Sequence, residues 1–318
     1  MPGTQAATPT PRFSVVIPTY RRAELLAQAL RSVAEQTYTD LEIIVVDDDK
    51  AGSARDVVNA FARQNTGTDV RYYTNHRAQG GSGARNAGLE HAAGEWVAYL
   101  DDDDTWLPEK LQRISELIAT STDPDLALVY SSHAKYDFEE QRVLETTRPQ
   151  ARGRVLDKVL YENCIGGMSV VVARRDLLQE LGGLDERFQS LQDMELYVRV
   201  AERGTFDFVE EPLVRLRVSS RDRITYDPRK KLQGAKLFAS KYSRQLAGSA
   251  RLKHRAASRT FVFAMAANDL VEATKNLPWT LAGVVVDPSN LGYVFRSLAR
   301  QLRARSARTV KTVRAATR

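Results

Sequence analysis

A single cysteine in 318 residues, Cys164, excludes an intramolecular disulfide and cannot alone supply a thiolate zinc site. It reads as a small buried side chain in a reducing compartment. Histidine is nearly as sparse. His76, His91, His133 and His254 are scattered without metal-site spacing, so each is expected on the surface or in a hydrogen bond. Apolar runs are short: Leu281 to Val286 falls far below the roughly 20 residues of a membrane-spanning helix. The opening residues are rich in Pro, Thr and Ala and lack the apolar core of a secretory signal. The expectation is a disordered leader over 1–11 and a cytoplasmic location. Acids are missing from the other end. From Arg296 onward there are eight Lys or Arg and no Asp or Glu, while the residues before carry a net charge of −2. A basic tail on a near-neutral body points to an anionic surface for the tail and a small-molecule substrate for the body.

What is present is a regular alternation. Phe13 to Ile17 is a β-branched run closed by Pro18, and Arg21 to Gln36 then places Leu25, Leu26, Ala29, Leu30 and Val33 on one helical stripe. Leu41 to Val46 repeats the strand signal and runs into Asp47-Asp48-Asp49; a helix follows over about 53–64. Val70 to Thr74 is a third strand, Gly83 to Ala93 a short helix, and Glu95 to Leu100 a fourth strand ending at Asp101 to Asp104. Strands separated by helices of about ten to fifteen residues predict an α/β fold with a mostly parallel sheet and helices on both faces. Ligands in such sheets bind beyond the carboxyl ends of the strands. Pro18 to Arg21, Asp47 to Asp49 and Asp101 to Asp104 are therefore expected to share one site. Downstream come a strand over Leu126 to Ser131, a polar loop over 137–153, a strand over Met168 to Ala173, and helices over Asp176 to Leu181 and Asp193 to Glu202. From about Asp227 the pattern is helical only.

Four stretches carry chemistry. In Tyr99-Leu-Asp-Asp-Asp-Asp-Thr-Trp-Leu-Pro108 adjacent carboxylates raise one another's pKa unless a cation is present, which makes a divalent ion the natural partner. Mg²⁺ and Mn²⁺ combine one or two carboxylates with substrate phosphate oxygens. Asp104 alone is equally well read as the cap of the following helix. The acids of Ile44-Val-Val-Asp-Asp-Asp-Lys50 can accept from a base or from ribose hydroxyls. Gln79-Gly-Gly-Ser-Gly-Ala-Arg-Asn86 is a glycine-rich turn whose backbone N–H groups and Arg85 suit a phosphate or base, although it is neither a Walker loop nor a dinucleotide fingerprint. In Leu191-Gln-Asp-Met-Glu-Leu-Tyr-Val-Arg199, Asp193 and Glu195 cannot share a helix face, so one is expected in the cleft. Asp193 is either a helix cap or a general base.

These stretches, in this order, resemble the inverting glycosyltransferases of family 2. The likeness covers about residues 12–225 and rests on residues 15–21, 45–48, 84–89, 100–108, 182–188 and 192–196. It implies the GT-A fold, which is Rossmann-like with a mostly parallel central sheet and helices on both faces, over 12–225, followed by a helical C-terminal region over 226–318. It also implies a nucleotide-sugar donor, a UDP-sugar or one of another nucleotide, and a divalent metal, Mn²⁺ or Mg²⁺. Carried over by position, Pro18, Thr19, Tyr20, Arg21, Asp48, Arg85, Asp101 and Asp102 are expected to bind the nucleotide-sugar. Asp103, with Asp101, is expected to hold the metal, and Asp193 to be the catalytic base. Trp106, Gly166, Gly167 and Met168 fall on the acceptor side. Two positions depart from the pattern: Ser219 stands where a histidine near the metal is common, and Gln192 precedes Asp193 where Glu is usual.

The C-terminal region places Leu291, Val294, Phe295, Leu298 and Leu302 on one stripe with Arg296, Arg300 and Arg303 off it. That is a basic amphipathic pattern, read either as a peripheral contact with an anionic membrane surface or as a helix packed on the body. The former suits a glycan or polyprenol-linked acceptor. Nucleic acid is not expected, because no aromatics are interleaved with the charges. Two rival readings remain. A sugar-nucleotide nucleotidyltransferase would carry a glycine-rich basic loop after the first strand, which Pro18 to Arg21 does not provide; the other is a non-catalytic nucleotide-sugar-binding protein.

Overall fold

All seven residues of Phe13–Thr19 (β1) are buried, as are all seven of Leu41–Asp47 (β2), the signature of strands covered on both faces. Between them Ala23–Ala34 (α1) buries Leu26, Ala29, Leu30 and Val33, the stripe set by helical spacing. The alternation continues through Arg55–Gln64 (α2), Asp69–Thr74 (β3), Gly81–His91 (α3), Trp96–Tyr99 (β4), Thr105–Trp106 (β5) and Lys110–Thr120 (α4). Then follow Leu126–Asp137 (β6), Arg142–Thr146 (β7), Leu156–Tyr161 (α5), a 3-10 turn at Met168–Val170, Val171–Arg174 (β8), Arg175–Glu180 (α6), Gln192–Arg203 (α7) and Thr205–Arg217 (β9). The computed structural model describes residues 12–218 and 227–299; the expected leader, Ser219 and the tail from Arg300 onward, with Leu302 and Arg303, lie outside the described residues.

Among the described residues the strands form one sheet in the order β3-β2-β1-β4-β8-β6-β9-β5, with β7 paired to β6. β1 runs parallel to β2 and β4, β2 to β3, and β6 to β9. β8 lies antiparallel between β4 and β6, so β6 and β9 point the same way as β1 to β4. The sheet is therefore mostly parallel, with helices against it, as the alternation predicts. The tips of β1, β2 and β4 consequently open on one edge.

The strand expected over Met168 to Ala173 starts only at Val171, after the 3-10 turn, and two longer segments also differ from expectation. The polar stretch over 137–153 is not all loop: β6 extends to Asp137, turns at Gln141 in the left-handed region, and returns as β7. Every residue of β7 is exposed, so no buried face marked it. The second is β9, a 13-residue strand at the core of the second half of the sheet. It contains Pro212, which gives a ladder no N–H. That proline sits opposite Ser132, where the register with β6 shifts, the kind of irregularity that accommodates it.

Residues 12–187 with 192–218 form one compact unit, and 188–191 with 227–299 a second. The second is helical: Pro228–Lys241 (α8), Ser243–Ala247 (α9), Ala250–Ala267 (α10), Leu270–Val286 (α11) and a helical run over 289–299. Asp227 caps α8 by accepting from Arg229 N at 2.9 Å, with Pro228 at the first helical position. Leu232, Ala264 and Ala273, from α8, α10 and α11, pack together as one buried cluster within it.

Candidate active site

The chain leaves β1 at Thr19, whose carbonyl accepts from Asp48 N at 2.8 Å and whose Oγ1 donates to Asp102 Oδ2 at 2.8 Å. Thr19 thus ties the tips of β1, β2 and β4 together. Pro18 is buried within β1. Beyond it, Tyr20 is exposed and Arg21 adopts a φ of 55°, placing its guanidinium 5.1 Å from the Tyr20 ring centroid and 2.9 Å from Asp49. Asp47 has a structural job, accepting from Asp49 N, Ala54 N and Tyr72 Oη. That leaves Asp48 as the partly exposed acid of the trio at this edge. It accepts from Asn75 Nδ2 at 2.6 Å and from Gly80 N at 2.9 Å.

The glycine-rich turn serves close approach as much as ligand contact. A Cβ on Gly83 would lie 1.9 Å from Ala78 O, and one on Gly88 would lie 2.3 Å from Val16 Cγ1, so α3 rests directly on β1. Gly80 holds a φ of 120° and its N–H is already given to Asp48. Arg85, on α3, is buried and its Nη2 donates to Asp101 Oδ1. Asn86 beside it donates to Leu184 O at 2.8 Å and accepts from Leu184 N at 2.7 Å, which fastens the Gly182-Gly183 turn to α3.

The four aspartates divide. Asp101, Asp103 and Asp104 bring carboxylate oxygens within 4.8 Å of one another. Asp102 turns to Thr19 and to Arg22, whose Nη1 also reaches Asp103 Oδ2 at 3.3 Å. Asp104 does not cap α4, whose N-cap residue is Glu109. Instead it is buried and accepts from Ser169 Oγ at 2.7 Å and Arg217 N at 3.0 Å. Burial, and then the charges of Asp103 and Asp101, hold Asp104 well above the usual carboxylate range. Burial likewise pushes Asp102 up to about 6, against the hydrogen bond from Thr19 and the charge of Arg22. Three hard oxygen donors, two of them on partly exposed acids, fit Mg²⁺ or Mn²⁺.

Asp193 enters from the first turn of α7. Its Oδ1 accepts from Met194 N at 2.7 Å and its Oδ2 from Asn163 Nδ2 at 3.0 Å. Burial raises its pKa, opposed by the Met194 N–H and by Arg85. Glu195 points elsewhere, fully buried and bound to Arg199 at 2.7 and 2.8 Å, so the two acids separate as their spacing requires. Gly166, in the left-handed region at φ 127°, and Gly167 offer carbonyls to Tyr197 Oη, each at 3.3 Å. Met168 Sδ lies 3.8 Å from the same hydroxyl, and Trp106 Nε1 donates to Ser169 O at 2.9 Å. Gly166, Gly167 and Met168 therefore lie on one stretch of chain that Asn163 ties to Asp193, and Trp106 of β5 is bonded to its next residue, Ser169.

Thr19, Asp48, Asp101, Asp102, Asp103, Arg85 and Asp193 thus form one connected set, with Arg85 bonded to Asp101 and acting electrostatically on Asp193. Tyr20 and Arg21 lie at its outer rim. Sequence reasoning did not single out Arg22, Asn163, Ser169, Tyr197 or Arg217. Arg217 was within reach: its Nε donates to Asp103 O at 3.1 Å, and in the sequence it stands two residues before Ser219, the position where the resemblance places a residue near the metal.

A mostly parallel sheet with an acid cluster at the tip of its fourth strand and a further acid on a helix beside it defines a glycosyltransferase of the GT-A type. The chain belongs to glycosyl transferase family 2, whose sequence model matches residues 14–182. It is 30% identical over 166 residues to the UDP-Glc:alpha-D-GlcNAc-diphosphoundecaprenol beta-1,3-glucosyltransferase WfgD of Escherichia coli, covering 52% of this chain and 61% of that one. Its fold matches S. aureus TarS in complex with UDP-GlcNAc at a TM-score of 0.66 and 16% identity, over 94% of this chain and 92% of that structure. It also matches the mannosyltransferase PcManGT from Pyrobaculum calidifontis in complex with GDP-Man and Mn²⁺, at 0.56 and 19%, over 95% and 88%. The chain spans no more than two thirds of the length of the curated relatives it matches first.

Proposed function

We propose that this chain transfers a sugar, with inversion at the anomeric carbon, from a UDP-sugar to a hydroxyl of a glycan or polyprenol-linked acceptor in polysaccharide or glycoconjugate assembly. The observation that carries the proposal is the position of Asp193. It is partly buried, raised in pKa, held by Asn163, and within electrostatic reach of the Arg85–Asp101 pair at the tip of β4. A carboxylate so placed can take the proton of an acceptor hydroxyl while the new C–O bond forms and the bond to the diphosphate breaks on the opposite face. Thr19 and Asp48 would hold the nucleoside, and Trp106 with the Gly166–Met168 loop the acceptor. Asp103, Asp101 and Asp104 would hold Mn²⁺ or Mg²⁺, which when bound would supply positive charge for the departing diphosphate. The donor of the E. coli relative favours UDP-glucose, and its diphosphoundecaprenol acceptor favours a lipid-borne one.

The test is Asp193→Asn. Transfer is expected to be lost while UDP-sugar with Mn²⁺ still raises the thermal midpoint, because ligand binding stabilises the native state by mass action. Retained turnover removes Asp193 from the role of base. The same thermal measurement across a panel of nucleotide sugars identifies the donor.

A further inference from the structure

From Leu277 to Val286 α11 is apolar on both of its sides, with Thr280 the one polar residue. Ala273, Thr280 and Gly283 are buried toward its neighbours. Its outward residues are Val271, Leu281 and Val285, which are 68%, 61% and 86% exposed, with Leu270 at 67% and Trp279 at 47% beside them. Phe295, on the run over 289–299, is 66% exposed. An apolar patch of this kind on a protein surface marks an interaction site. A helix that is hydrophobic all round is stable only inside a core or in lipid. Yet no helix among the described residues is long and apolar enough to cross a membrane.

Charge decides what covers this face. The basic character is not confined to the tail: residues 227–318 contain 19 Lys or Arg and 4 Asp or Glu, against 27 and 36 in residues 1–226. All four acids are engaged locally. Asp227 and Asp269 cap α8 and α11, Glu272 pairs with Lys236 at 3.1 Å, and Asp287 pairs with Arg251 at 2.7 Å. From Ala273 to Val286 there is no acid at all. Lys253 Nζ sits 4.1 Å from the Trp279 ring centroid, a cation and an indole side by side, as at a membrane–water boundary. A second copy of the chain is a poor occupant, because a twofold contact would set this basic unit against itself. The segment over 300–318, with seven Lys or Arg and no acid, is repelled for the same reason. An anionic lipid surface satisfies both features, with acyl chains for the side chains and headgroups for the surrounding cations.

We infer that the outward face of α11, with Trp279, Leu281 and Val285 at its centre, is a docking surface for anionic membrane, an inference that deepens the proposal of a lipid-borne acceptor and rests on it. The full chain is mixed with vesicles of phosphatidylcholine alone or with phosphatidylglycerol, and partition is read by sedimentation. Trp279 gives a second readout, since Trp96 and Trp106 are each only 3% exposed. Anionic vesicles are expected to bind the chain about tenfold more strongly than neutral ones, with a blue shift in tryptophan emission and weakening in high salt. The pair Leu281→Asp with Val285→Asp is expected to lose about tenfold of that partition with its thermal midpoint unchanged, because both side chains already face solvent. Leu281→Ser with Val285→Ser, which adds no charge, is expected to weaken partition as well and replaces the first pair should that one fail to fold. The inference is overturned if the wild-type chain stays in the supernatant with anionic vesicles, or if both pairs bind as it does. A wild-type dimer that the aspartate pair converts to monomer overturns it too, in favour of a second copy. Donor binding, measured by thermal shift on the same proteins, keeps the two proposals apart. Lost partition with donor binding intact strikes the docking face, whereas absent donor binding in the wild type strikes the proposed function.

Discussion

Asn163 Nδ2 donates to Asp193 Oδ2 at 3.0 Å and, from the same nitrogen, to Gly166 O at 3.0 Å. Its Oδ1 accepts from Ile165 N and Gly166 N, so one side chain both shapes the Gly166 loop and holds the proposed base. A hydrogen bond to a carboxylate favours the charged form. Asn163→Ala is therefore expected to raise the pKa of Asp193, shift the acid limb of the kcat–pH profile to higher pH, and lower kcat near neutrality by about tenfold. Superimposable pH profiles, with only KM changed, would show that Asn163 serves the loop alone.

The acid cluster sets a second expectation. Asp104 is held well above its ordinary pKa by burial and by Asp103 and Asp101, a cost that a divalent cation relieves. Mn²⁺ alone is expected to raise the thermal midpoint of the wild type, and chelation to reverse it. In Asp103→Ala that response should disappear and kcat fall by about 100-fold or more, the scale of losing several kcal/mol of charge stabilisation. An unchanged response to Mn²⁺ in this variant would move the metal away from Asp103.

Arg85 and Asp101 form an ion pair whose guanidinium is buried while the carboxylate side chain keeps 33% of its exposure. Breaking a buried pair strands the remaining charge, but Asp101 can regain some water. Arg85→Met is accordingly expected to cost about 2–4 kcal/mol, at or below the usual range for a buried pair. Adding Asp101→Asn should restore part of it, since the stranded charge is then gone. Urea unfolding of the four proteins in a double-mutant cycle reads the coupling, and additive losses would deny it.

The first half of the fold was legible because β1, β2 and β4 are nearly unbroken apolar runs, interrupted by Ser14 and Glu42, that stop at polar or acidic residues. A strand covered on both faces leaves that mark, and its last residue locates the site. β8 inserted antiparallel between β4 and β6 was not legible, since hydrophobic pattern carries strand identity but not strand order. β9 was hidden by Pro212, tolerated only because the register with β6 slips opposite it. Missing β9 also meant missing Arg217. Asp104, just ahead of a helix, reads equally well as a cap or as part of the acid cluster, and its partners Ser169 and Arg217 lie 65 and 113 residues away. Contacts of that range are set by sheet order, which no local pattern encodes.

Lys110 supplies a prediction about stability and pH. It is fully buried in the first turn of α4, donates to Val170 O at 3.2 Å and Ser131 Oγ at 3.4 Å, and lies 5.1 Å from the Trp106 ring centroid. No acid pairs with it among the described residues, and burial pushes its pKa down to about 7 from 10.5. Between those two values the unfolded chain holds a proton that the folded chain has released. Stability therefore rises with pH across this window by up to about 1.4 kcal/mol per unit. This contribution is complete above the unfolded value and is lost as pH falls through about 7. Lys110→Met keeps the length of the side chain and removes the titration. Its unfolding free energy should match or exceed that of the wild type at neutral pH, and the difference should shift in favour of the wild type by about 2–3 kcal/mol over the next two pH units. Urea midpoints of the two proteins that run parallel with pH would show that Lys110 keeps an ordinary pKa in the folded chain.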